Sequence, residues 1–124
     1  MKKIVLLLLI CVMVVGCSQV ADGISEEIYK GVNEHKKLIE ECYQGKDCEY
    51  DDVYTELEDS ILEFSDYMET EEDRKLISLI GVLNVRMWDY KRIIEIEGEA
   101  DLEREEYEKA HNKLHDAMNK KRVY

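Results

Sequence analysis

Proline is absent from all 124 residues of the chain. No pyrrolidine ring therefore removes a backbone donor or breaks a helix anywhere. Tryptophan and phenylalanine occur once each, and histidine three times. The zinc-protease pattern H-E-x-x-H is missing, as are G-x-S-x-G, the P-loop and the dinucleotide fingerprint. Nothing in the sequence positions an activated nucleophile or cradles a phosphate, so neither a catalytic residue nor a cofactor is expected. Cationic side chains are scarce, with 17 Lys+Arg against 29 Asp+Glu and a net charge of −12. That sign repels phosphate backbones and anionic headgroups, which excludes nucleic acid as a partner. Uninterrupted apolar runs are short as well. The longest, residues 4–15, has twelve residues, and a spanning helix needs roughly 20. Hydrophobic content is nonetheless 45%, too high for a disordered acidic tail.

The chain opens MKKIVLLLLICVMVVGCSQV. Lys2 and Lys3 form a positive n-region, and residues 4–15 match the apolar h-region of an export signal. Val14-Val15-Gly16-Cys17 then resembles the lipobox of bacterial lipoproteins. The resemblance covers residues 1–17 alone, and valine replaces the more usual Leu and Ala or Ser at the first two lipobox positions. It implies cleavage before Cys17 and acylation of the Cys17 thiol. Residues 1–16 are then a signal peptide, residues 17–24 a short tether after the lipidated cysteine, and residues 25–124 the acidic domain. Several acyl chains anchor stably where one does not. Ser18 follows the cysteine. In Gram-negative lipoproteins an aspartate there retains the protein in the inner membrane, so its absence implies the outer membrane, facing the periplasm, if the host has one. Removing Lys2 and Lys3 leaves 15 basic residues against 29 acidic and takes the net charge from −12 to −14. Such a surface favours cationic partners and solubility.

Beyond the tether the apolar positions recur at helical spacing, which predicts an all-α fold, an antiparallel bundle of three or four helices. Ser25 is placed to cap a first helix carrying Ile28, Val32, Ile39 and Cys42 on one stripe, with Leu38 alongside. Gly45 suits a left-handed stop. A second helix is expected from about Glu49 to Glu69, with Val53, Leu57, Ile61, Phe64 and Met68 as its seam. Thr70 and Asp73 read as a capping box opening a third helix to about Glu97. That helix is apolar on more than one face, as a helix buried by several neighbours would be, or one with a face left for a partner. Gly81 inside it costs about 1 kcal/mol relative to alanine, and close helix packing is the usual reason. Gly98 ends it, and Asp101 is read as the cap of a fourth helix striped by Tyr107, Ala110, His111, Leu114, Ala117 and Met118. Lys120, Lys121 and Arg122 close that helix, at the negative end of its dipole.

Four cysteines are present. Cys11 goes with the signal and Cys17 is taken by acylation. Cys42 and Cys48 remain as a pair in an exported protein, where oxidation is the rule. They are expected to form a disulfide that staples the first helical hairpin. Their spacing matches neither a zinc knuckle nor the C-x-x-C redox motif. His111 and His115 lie four apart on a helix with Glu108 one turn before, a weak candidate for a divalent metal, with boundary positions as the plainer reading. Eight tyrosines are many for such a domain, and tyrosine, tryptophan and arginine favour protein interfaces. Arg86, Trp88 and Tyr90 are the partner-binding candidates. The function expected is a lipid-anchored envelope protein that binds another protein, as a complex subunit or in immunity or exclusion against an incoming agent. A metal- or small-ligand-binding lipoprotein and a structural envelope lipoprotein are the alternatives.

Overall fold

The computed structural model of the chain describes residues 23–45 and 47–119. The lipobox, Cys11, Cys17 and the basic residues 120–122 lie outside them. The described residues form four helices: α1, Glu26–Gln44; α2, Tyr50–Phe64; α3, Glu71–Glu97; and α4, Asp101–Asn119. They pack together as an all-α bundle in which α3 touches each of the other three. None is long and apolar enough to cross a membrane.

The core follows the stripes. Ile28, Val32, Ile39 and Cys42 of α1, Leu57 of α2, Leu76, Ile80, Leu83 and Met87 of α3, and Tyr107, Leu114 and Met118 of α4 are buried in one cluster. Each fully buried large aliphatic side chain contributes roughly 1.5–3 kcal/mol. Val53, Ile61, Phe64 and Met68 pack only partly buried against it, because α2 covers α3 and α1 from one side.

Local chemistry sets the helix ends. Thr70 accepts from the Asp73 N–H at 3.0 Å, and the Asp73 carboxylate accepts from the Thr70 N–H at 3.3 Å, a complete capping box. This box separates α2 from α3. The second helix stops at Phe64, five residues before the expected end, in a turn closed by Asp66 N–H to Glu63 C=O and Tyr67 N–H to Phe64 C=O. Gly98 ends α3 at φ 81°, in the left-handed region where glycine carries no Cβ penalty.

Three other expectations at helix ends are corrected. Ser25 stands at the N-cap position of α1 and its carbonyl accepts from Tyr29 N–H, but its side chain makes no cap bond, because its hydroxyl is given to Asp73 instead. Gly45 is extended at φ −85°, since the chain turns directly into the disulfide loop. Asp101 is the first residue of α4 rather than its cap, and the carbonyl of Ala100 accepts the bond from Arg104 N–H.

The tight glycine is also a different one. A Cβ on Gly31 would come within 3.0 Å of Cε1 and Cζ of Phe64, so α1 and the end of α2 meet there without room for a methyl group. A Cβ on Gly81 would meet only Ile61 Cδ1, at 3.8 Å.

Cys42 and Cys48 form the expected disulfide, with Cα atoms 5.1 Å apart. It joins the last turn of α1 to the approach of α2. Lys91 of α3 donates to the Gly45 carbonyl inside the same loop.

Candidate functional site

The partner-binding candidates of α3 each reach a neighbouring helix. The Trp88 indole N–H donates to Asp51 Oδ1 at 2.7 Å. Its ring tilts against Tyr54 at 5.7 Å, and the Arg92 guanidinium lies over its face at 4.8 Å. Trp88 therefore ties α2 to α3 with its polar edge satisfied and one face covered. Tyr90 tilts against Tyr43 of α1 at 4.7 Å, and Arg104 of α4 stands 5.8 Å from its ring. Arg86 pairs with Glu106 of α4 at 3.8 Å, both side chains remaining more than a third exposed. An exposed pair of this length contributes under about 1 kcal/mol.

Tyr90 opens a ring ladder along the α1–α4 seam. Tyr43 stacks on Tyr107 at 3.7 Å, Tyr107 is followed by His111 at 5.9 Å, and His111 by His115 at 6.4 Å. Burial raises the phenol pKa of Tyr107, and burial, helped by Tyr90, raises that of Tyr43. Both hydroxyls stay protonated at neutral pH. His111 Nε2 lies 3.0 Å from Glu40 Oε2, and Lys36 stands 3.5 Å from the other carboxylate oxygen. Burial alone would raise the Glu40 pKa, but the contacts with His111 and Lys36 outweigh it and hold the carboxyl below its usual value. A shallow groove of about 280 Å³ lies here, lined by Glu40, Tyr43, Gln44, Tyr107, Glu108, His111 and Asn112.

The weak metal candidates lie along one stretch of α4, with the His111 and His115 rings 6.4 Å apart and Glu108 in the same groove as His111. Glu108 and His115 are exposed, whereas the imidazole of His111 is turned to Glu40 across the helix interface. Among the described residues no three His, Cys, Asp or Glu side chains group as a metal site. His35 packs edge-on against Phe64 at 5.8 Å, and burial lowers its pKa against the opposing pull of Glu56 and Glu34.

The open surface lies elsewhere on α3. Val82 and Val85 keep 43% and 39% of their surface exposed. With Ser78, Gly81, Arg86 and Glu58 of α2 they line a groove of about 410 Å³. On the other side Arg86, Asp89, Arg92 and Ile93 line a second groove of about 200 Å³ with Leu102, Glu103 and Glu106 of α4. Arg86 lines both, so the two grooves flank it on α3. Sequence periodicity does not say whether Val82 and Val85 are buried or open, because α3 is apolar almost all round. The signal that marks this face is Gly81, a helix-weakening residue with no tight internal neighbour.

No protein-family model matches the chain, nor does any curated protein sequence or solved structure.

Proposed function

We propose that the chain is a lipid-anchored envelope protein, held at the membrane by an acylated Cys17, and that it acts by binding another protein rather than by catalysis. The observation that carries the binding reading is the outer face of α3. Val82 and Val85 there stay 43% and 39% exposed and line one groove with Arg86, on a molecule with an excess of acidic side chains. Exposed apolar patches rimmed by polar residues are the usual mark of a contact surface. The anchor supplies the rest of the mechanism. Confinement to a membrane raises the effective concentration of the module toward a partner at the same surface. Service as a complex subunit, or in immunity or exclusion, fits this scheme.

The helices in this reading run alternately up and down. Several contacts support it: the start of α1 meets the start of α3 at Ser25 and Asp73, the start of α2 meets the last turns of α3 at Tyr50 and Glu95, and the end of α1 meets the start of α4 at Tyr43 and Tyr107. The tether then leaves one end of the bundle and the disulfide loop sits at the other.

The test is in cells. Photo-crosslinking residues are placed at Val82, Val85 and, as a distant position, Tyr67. A discrete adduct with one envelope protein, lost when Cys17→Ser releases the chain from membranes, is the expected result. A chain that yields no adduct at any position, or that partitions identically with and without Cys17, rejects the reading.

A further inference from the structure

Charged side chains rim both grooves. Four acids and two bases line them: Glu58, Asp89, Glu103 and Glu106 against Arg86 and Arg92. Both bases are engaged within the chain, Arg86 with Glu106 and Arg92 with Asp89 and the Trp88 ring. Glu58 on the α2 rim and Glu103 on the α4 rim have no ion-pair partner among the described residues. The α3 wall of the first groove is small at Ser78, Gly81, Val82 and Val85, and the second groove adds Ile93 and Leu102. Gly81 weakens α3 and answers to no close contact inside the molecule.

We propose that this trough receives a basic amphipathic helix of the partner protein. Its narrow apolar stripe, at helical spacing, lies over Gly81, Val82 and Val85, and its cationic flanks meet Glu58 on one rim and Glu103 on the other. The missing side chain at position 81 lets the incoming backbone approach. A second copy of this chain is the poorer occupant, because it brings the same acidic rims and the same net charge, −12 for the full sequence and −14 without Lys2 and Lys3, to the contact. The inference rests on the protein-binding reading and specifies its surface and the partner's chemistry.

The probe is a fluorescein-labelled helical peptide of leucine and lysine, compared with a leucine–glutamate peptide of the same pattern. Both are titrated by anisotropy against the full chain in detergent. The lysine peptide is expected to bind and the glutamate peptide not to. Gly81→Ala is the decisive variant, because it is expected to raise the melting temperature while weakening the lysine peptide at least about tenfold. Glu58→Gln with Glu103→Gln is expected to weaken binding by about the same factor. Glu26→Gln with Glu27→Gln, the same charge change on the first turn of α1, is expected to alter it less than about twofold. Equal losses from the two charge pairs, or unchanged binding by Gly81→Ala, reduce the effect to general attraction by an acidic protein and overturn the proposal. Sedimentation showing a dimer that Val85→Asp dissociates also overturns it, since the face then belongs to a second copy. In the crosslinking experiment an adduct at Tyr67 without one at Val85 sinks the trough and leaves protein binding standing. No adduct anywhere sinks both.

Discussion

Asp73 shows most plainly how one side chain organises this chain. It is fully buried, a position a carboxylate tolerates only when its oxygens are satisfied. The Ser25 N–H reaches it at 2.7 Å, the Glu69 N–H at 3.0 Å and the Thr70 N–H at 3.3 Å, and the Ser25 hydroxyl donates as well. Burial alone would raise its pKa. The hydrogen bonds win, and the carboxyl stays below its ordinary value. A depressed carboxylate adds stability that is fully present above the unfolded pKa, near 4, and is lost as pH falls through the folded one. Urea titrations between neutral pH and pH 2 are expected to show this loss, and Asp73→Asn is expected to flatten it while lowering stability by about 1–3 kcal/mol at neutral pH. His35 acts in the same direction. Its depressed pKa means that its contribution is present above about pH 6.5 and is lost as pH falls through the lower, folded value. Trp88 also changes meaning at this scale. Because it ties α2 to α3, Trp88→Ala is expected to cost about 2 kcal/mol or more in chemical denaturation. A loss of binding in that variant would therefore not by itself place a partner on Trp88.

At the level of elements, two glycines inside helices make opposite predictions. Gly81→Ala removes a helix penalty and meets only ordinary contact, so it is expected to stabilise by about 1 kcal/mol. Gly31→Ala gains the same propensity but drives a methyl group into the Phe64 ring, and overpacking of this kind costs typically 1–3 kcal/mol. Its melting temperature is expected to fall. The contrast also marks what can be read from sequence. The stripe of α1, the capping box of Thr70 and Asp73, the stop at Gly98 and the Cys42–Cys48 staple are legible, since each depends on residues within one or two turns of each other. Ser25 is not, because its hydroxyl is claimed by a carboxylate 48 positions away. The end of α2 is not, because apolar spacing continues to Met68 while the backbone has already turned. The outer face of α3 is not, because periodicity reports hydrophobicity and cannot say which side a neighbour covers. His111 is legible as a boundary residue of α4, but its partner Glu40 lies on another helix.

For the whole molecule, the disulfide is the one covalent tie between helices among the described residues. It closes a short loop, for which the chain-entropy estimate is about 2 kcal/mol. Reduction, or Cys42→Ser with Cys48→Ser, is expected to lower the unfolding free energy read from urea titration by about that amount and leave the circular dichroism helical, because the core of α1, α3 and α4 does not depend on it. The clasp at the other end of the bundle has a mechanical consequence. In the proposed anchored state the chain is tugged from the N-terminal side of α1. Thr70 grips the Gly23 carbonyl and Asp73 grips Ser25, so tension enters α3 directly, the helix in contact with all the rest. Peeling α1 away then requires several bonds to rupture together instead of one turn at a time. A protein that is stretched whenever its partner moves relative to the lipid is fastened at the place where the strain arrives.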